Sequence, residues 1–96
     1  MIVGFGEKAT EDLYNGVASA RARRIPMNIR QRTLDRLTAI NAATKLDDLR
    51  VPASNRLEQL QGDLAGFWSI RVNDQWRIIF KWNDGQASEV SLTDYH

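Results

Sequence analysis

The chain closes on Thr93-Asp94-Tyr95-His96, which brings a carboxylate, a phenol and the only imidazole of the sequence into three consecutive positions. Imidazole titrates near neutral pH, so these residues form a usable proton donor and acceptor set. Two plainer readings stand beside this one: Tyr95 as the last aromatic of a packed sheet, and His96 as the first residue of a truncated purification tag. Arg77 sits in the alternating run Trp76-Arg77-Ile78-Ile79-Phe80-Lys81-Trp82. As a strand, this run sends its aromatics to one face and Arg77, Ile79 and Lys81 to the other. A guanidinium on a rigid strand is well placed to hold a phosphate. Arg71 is a similar candidate one strand earlier. An ordinary surface ion pair is the competing interpretation of either arginine. Glu58 and Gln61 lie beside Gly62-Asp63, a turn signal. Glu58 can act as a general base if it faces the cleft of Arg77; otherwise it is a solvent-facing residue of an edge strand.

A second charged feature lies upstream. Between Arg21 and Arg36 there are six arginines, Arg21, Arg23, Arg24, Arg30, Arg32 and Arg36, against one acid, Asp35, although the whole chain carries a net charge of only +1. The arginine fork matches phosphate and carboxylate, so this stripe points to a polyanion or a carboxylate-rich partner, with Arg23, Arg24 and Arg30 among the contacts. A solvated helix face is the alternative.

The elements that must position these groups follow from pattern. Ninety-six residues make one domain, 1–96, and a chain this short buries only roughly 60 to 65 % of its unfolded surface. With no cysteine and one histidine, disulfides and thiolate or zinc sites are not expected. No apolar run approaches the roughly 18 residues of a membrane span and the start lacks a signal-peptide pattern, so a soluble, cytoplasmic protein without a membrane partner is expected. Ile2, Val3 and Phe5 suggest a first strand, and 7–15 a helix ended by Gly16. Residues 17–25, small and arginine-rich without apolar period, are expected to be a mobile connection rather than packed structure. Pro26 opens a second helix whose Ile29, Leu34, Leu37 and Ile40 recur at helical spacing. Thr44-Lys45-Leu46-Asp47 looks like a capping box for a short turn stopped by Pro52. Period-two patterning then predicts strands at 55–60, 67–72, 76–82 and 88–92, the last two joined through Asp84-Gly85. Trp68, Ile70 and Val72 on one strand, with Trp76, Ile78, Phe80 and Trp82 on the next, should meet the helix stripe. The expected fold is α+β, N-terminal helices on one face of a mainly antiparallel sheet.

Four segments, Leu57-Glu58-Gln59-Leu60-Gln61-Gly62, Gly66-Phe67-Trp68-Ser69-Ile70-Arg71-Val72, Trp76-Arg77-Ile78-Ile79-Phe80 and Asp94-Tyr95-His96, together resemble the HigB killer proteins of the RelE/ParE toxin superfamily, in order and spacing. The resemblance implies a RelE-like fold and a metal- and cofactor-free endoribonuclease that cuts mRNA on the translating ribosome and so inhibits growth. It further implies neutralisation by a HigA-like helix-turn-helix antitoxin, which would bring the toxin to operator DNA. The family's active-site arginine and terminal residues fall on Arg77, Asp94, Tyr95 and His96, which argues against a tag at His96. Arg71, Gln61, Lys81, Arg30, Arg23 and Arg24 become RNA-contact candidates. The sequence departs from many family members, which carry a His and a Lys where Glu58 and Gln61 stand here; Glu58 is then the remaining candidate base, and a mild toxin is expected. The alternatives are a ParE-like gyrase poison and a weakly active toxin serving mainly as an antitoxin-binding co-repressor. The nuclease reading requires Arg77 and His96 to converge on one concave surface.

Overall fold

The computed structural model describes residues 1–94. Its first helix, α1 (Lys8–Asn15), begins where the Glu7 carboxylate accepts the backbone N–H groups of Ala9 and Thr10 at 2.9 and 3.0 Å, satisfying donors that the helix itself leaves open. It ends at Gly16, whose φ of 74° is the left-handed conformation that glycine reaches without strain. Thr10, fully buried, accepts the backbone N–H of Leu92 at 2.9 Å and so ties this helix to the last strand. The long helix α3 (Met27–Ala42) follows Pro26 as expected and buries Ile29, Thr33, Leu37 and Ile40. Leu34 is only half-buried, because it lines a groove beside α1 instead of the core.

Residues 17–25 differ from expectation. They contain a helical turn, α2 (Ala20–Arg23), and they bury Ala22 and Ile25. The organising group is Asp12, a buried residue on α1. Its Oδ2 accepts the Ser19 hydroxyl at 2.7 Å and the Arg21 Nε at 2.9 Å, while Ser19 Oγ also accepts the Ala22 N–H at 3.1 Å. A four-residue turn held by a carboxylate from another helix has no apolar period of its own, so pattern alone misses it. The Ser19 hydrogen bond is the main influence holding the Asp12 carboxyl below its ordinary range. Burial opposes that shift, and Arg21 and Lys8 reinforce it. After α3 the acid that caps the next turn is Asp48, not Asp47. Asp48 accepts the backbone N–H groups of Thr44 and Lys45 and the Thr44 hydroxyl, and the 3-10 turn Leu46–Arg50 then buries Leu49.

The strands form an antiparallel meander in the order β1 (Glu58–Gln59), β2 (Phe67–Arg71), β3 (Trp76–Asn83) and β4 (Gln86–Asp94). The strand expected over 55–60 shrinks to two residues. Asn55 belongs instead to an exposed 3-10 turn that buries only Asn55, its Nδ2 donating to the Leu49 carbonyl at 3.2 Å, and Arg56 takes a left-handed φ of 46° that no strand accommodates. Asp84 and Gly85 both have positive φ, as a two-residue hairpin turn matching strand twist requires. Ile2 and Phe5 reach β4 as isolated parallel bridges to Ala87 and Val90, so the N-terminal strand exists only in fragments. Ile70, Val72, Ile78 and Phe80 join Leu37, Ile40 and Val90 in the core, and Trp68, Trp76 and Trp82 pack around it half-buried.

Leu37→Ala removes a side chain with no exposed surface, and should cost about 2–5 kcal/mol of stability in denaturant unfolding. For Asp12 the native pKa lies below the unfolded value of about 3.9. The stability it contributes is therefore complete above about pH 4 and is lost as pH falls through the native pKa. Asp12→Asn should flatten that acid limb of the stability curve, measured by denaturant midpoint against pH, and should raise amide exchange across residues 17–25.

Candidate functional site

Alternation along β3 turns Ile78 and Phe80 into the core and leaves Arg77 on the opposite face of the sheet. Register then decides its company. Arg71 on β2 and Thr93 on β4 lie directly across from Arg77, while Ser69 lies two residues along β2 and pairs with Glu58 of β1. The Arg77 side chain is only 11 % exposed. Nη1 donates to the buried Ser69 hydroxyl at 2.6 Å and Nη2 to Glu58 Oε1 at 3.1 Å. Two directional hydrogen bonds at the end of a long side chain, on an inner strand of the meander, fix the guanidinium plane.

This group forms one wall of a cleft of about 320 Å³, with Arg56, Glu58, Arg71, Asn73 and Asp74 as the remaining lining. Three guanidinium groups face two carboxylates there, so the cleft favours an anion. Arg71 is ion-paired with Asp74 in the β2–β3 turn. Asn73 shapes that turn, its Oδ1 accepting the backbone N–H groups of Gln75 and Trp76 at 2.9 and 2.8 Å. A carboxylate within hydrogen-bonding distance of a fixed arginine combines a proton acceptor with a charge stabiliser, which is the minimum equipment for moving a proton beside a phosphate. Among the described residues no group of three His, Cys, Asp or Glu side chains is gathered that could hold a metal ion.

Of the residues singled out from sequence, the fold gathers Arg77, Glu58 and Arg71. Asp94 pairs with Trp76 and so leaves the sheet on the face opposite Arg77, where its Oδ2 accepts the Gln75 side-chain amide at 3.0 Å. Tyr95 and His96, and with them the expected convergence of Arg77 and His96, lie outside the described residues. Lys81 shares the Arg77 face but is 3.1 Å from Glu89 and stands 5.2 Å over the Phe67 ring, away from the cleft lining. Gln61 is exposed just before the turn Gly62–Leu64 and does not line the cleft. Arg30 staples the chain entering α3, donating to the carbonyls of Ile25 and Arg23 at 2.9 and 2.8 Å. Arg23 reaches the Ala18 carbonyl at 2.8 Å, and Arg24 lines a different cleft with Trp76 and Leu92. Arg56, Asn73 and Asp74 of the cleft lining, and Ser69 hydrogen-bonded to Arg77, were not singled out from sequence. Ser69 is hidden between Trp68 and Ile70 in an apolar strand, and Asn73 lies in a turn that reads only as a connection. Arg56 shares the parity of Glu58, a signal that the expected strand over 55–60 already contains.

The sequence profile of the RelE-like toxin of type II toxin-antitoxin system HigB matches residues 4–96. Toxin HigB-1 of Vibrio cholerae is 42 % identical, the match covering 96 % of this chain and 95 % of the relative. Endoribonuclease HigB of Proteus vulgaris is 37 % identical over the whole of both chains. Among solved structures, the YoeB-YefM complex from Staphylococcus aureus contains a chain with TM-score 0.62 at 20 % identity, the match covering 100 % of this chain and 95 % of that one. YafQ from E. coli gives 0.58 at 22 %, covering 98 % and 91 %, so both share the fold. With an α+β meander, an arginine cleft on the free sheet face and a profile match over nearly its whole length, the chain belongs to the HigB-like family of RelE-like toxins of type II toxin-antitoxin systems.

Proposed function

We propose that this toxin is an endoribonuclease that cuts mRNA on the translating ribosome and is silenced by a HigA-like helix-turn-helix antitoxin, through which it also reaches operator DNA. The observation that carries the reading is the guanidinium of Arg77, 11 % exposed, hydrogen-bonded to Ser69 and Glu58, and forming a wall of an anion-favouring cleft. Endoribonuclease HigB of Proteus vulgaris supports it, since the likeness extends over the whole chain. A cleft of about 320 Å³ is near the lower end of the roughly 300–1,000 Å³ typical of small-ligand sites, so it suits one nucleotide and leaves the rest of the strand to be held elsewhere. A ribosome that already grips mRNA would supply that hold, which is why ribosome dependence fits so small an enzyme.

The reaction needs no group beyond the strand and the protein. The 2′-hydroxyl gives up its proton, its oxygen bonds to the adjacent phosphorus, the bond from phosphorus to the 5′-oxygen breaks, and that oxygen takes a proton. Arg77 stabilises the charge gathering on the non-bridging oxygens, with Arg71 beside it. Glu58 is the candidate acceptor for the 2′ proton and His96 the candidate donor to the leaving oxygen. Tyr95 would stack on a base, and Asp94 would act from the end of β4 by orienting His96. The arginine-rich surface of α2 and α3 suits ribosomal RNA and an acidic antitoxin alike.

Arg77→Ala should lower the cleavage rate by roughly 10²–10³-fold, the usual effect of losing one preorganised charge stabiliser. Deletion of His96 should likewise relieve growth inhibition. The readout is 5′-end mapping of translated mRNA after induction, with circular dichroism checking that each variant folds. Cuts in register with codons are expected from the parent protein and should vanish in both variants. Double-strand DNA breaks without mRNA cuts would point to gyrase as target, and growth inhibition unchanged in both variants would remove the catalytic assignment.

A further inference from the structure

None of the six arginines between positions 21 and 36 lines the Arg77 cleft, and the fold divides them by task. Arg21 binds Asp12, while Arg23 and Arg30 donate to main-chain carbonyls around α2. Arg32 and Arg36 do something else. They stand four residues apart, one turn of α3, and both line a second cleft of about 370 Å³ together with Ser54. The same cleft is walled by Arg71, Asn73 and Asp74, which also wall the Arg77 cleft, so the two clefts adjoin along these three residues.

Arg36 is oriented without being neutralised. Its Nε donates to the main-chain carbonyl of Arg71 at 3.1 Å, which ties α3 to the end of β2 and leaves a half-buried guanidinium among the second cleft's lining. Neither Arg32 nor Arg36 has a carboxylate partner among the described residues. The nearby acid of the helix, Asp35, accepts the Gln31 side-chain amide at 3.0 Å instead.

We propose that Arg32 and Arg36 form a second phosphate site, so that an RNA strand seated with its scissile phosphate at Arg77 crosses Arg71 and rests its neighbouring phosphate against α3. This rests on the nuclease reading and adds to it the path of the substrate. A row of separate guanidinium groups along a polar groove matches the regular charges of a phosphodiester backbone. An acidic protein segment would carry carboxylates too, but it would also need an apolar anchor. The only apolar member of the lining among the described residues, Val72, is 2 % exposed and offers none.

The test uses the full-length toxin and two oligoribonucleotides made uncleavable by 2′-O-methylation, a dinucleotide with a single phosphodiester and a tetranucleotide with three. Binding is followed by NMR, including the arginine Nε signals, across a salt series. The tetranucleotide should bind more tightly and shift the Arg32 and Arg36 signals. Arg32→Ala/Arg36→Ala should make its salt dependence shallower by about 0.7 in log K against log salt, the share of the one phosphate no longer neutralised, with dinucleotide binding unchanged. Arg32→Ala alone, at an exposed position, should remove about half of that and guards against a folding defect from losing the Arg36 tether.

Equal binding of both oligomers by the parent protein, or an unchanged slope in the double variant, would overturn the second site even while Arg77→Ala still abolished cleavage. A glutamate-rich peptide that bound at the Arg32 and Arg36 signals where the tetranucleotide did not would also overturn it, in favour of an acidic protein partner. A parent protein that made no cuts in translated mRNA would remove the nuclease reading and this one with it.

Discussion

A strand packed on one face only must send alternate side chains in opposite directions, and β3 puts its aromatic core contribution and its arginine under that single constraint. Ile78 and Phe80 are fully buried against the helices, and their burial fixes the pleat. Once the pleat is fixed, Arg77 has only the other face. A one-residue slip in register would bury a guanidinium and expose Phe80, which the cost of an unpaired buried charge forbids. The same packing that stabilises the domain therefore holds the Arg77 guanidinium in place on the cleft wall.

What surrounds Arg77 shows how a small domain keeps a charged group near its interior. Ser69, itself buried, gives the guanidinium a neutral acceptor, and Glu58 gives it a charged one that is half exposed. Removing the guanidinium would leave the Ser69 hydroxyl without this partner, at a cost of about 1–3 kcal/mol, so the pair is coupled in stability as well as in position. Glu58 stands on the shortest strand of the sheet, β1, beside the left-handed Arg56. The acidic member of the site is thus on its least anchored element and the basic member on a central strand. That arrangement suits the roles proposed for them, a proton acceptor at Glu58 beside a fixed charge at Arg77.

Away from the cleft, charge is used as structure. Asp12, Ser19 and Arg21 convert a stretch of alanine and arginine into a packed turn, and Arg30 closes the same region by binding two main-chain carbonyls. A chain with so little interior replaces some apolar packing by charge-assisted hydrogen bonds. The arginine stripe is consequently divided: Arg21, Arg23 and Arg30 staple residues 17–25, while Arg32 and Arg36 line a cleft along α3.

Helix α1 with its glycine stop, the α3 stripe, the Asp84-Gly85 hairpin and the aromatic face of β2 and β3 were all legible in the chain, because each is a local pattern that propensity and period encode directly. The four segments around Glu58, Ser69, Arg77 and Asp94 also carried the family. The packing of residues 17–25 and the reduction of 55–60 to two strand residues were not legible, since the first depends on Asp12 of another helix and the second on the left-handed angle at Arg56; the choice of Asp48 over Asp47 as capping acid is a local detail that both acids could have supplied. The site divides in the same way. Sequence supplied Arg77, Glu58 and Arg71 as candidates. Only the pairing of strands, which sets which residues lie across from one another, brought Ser69, Arg56 and Asn73 to them and turned Asp94 to the opposite face, because register is a property of the assembled sheet and not of any strand alone.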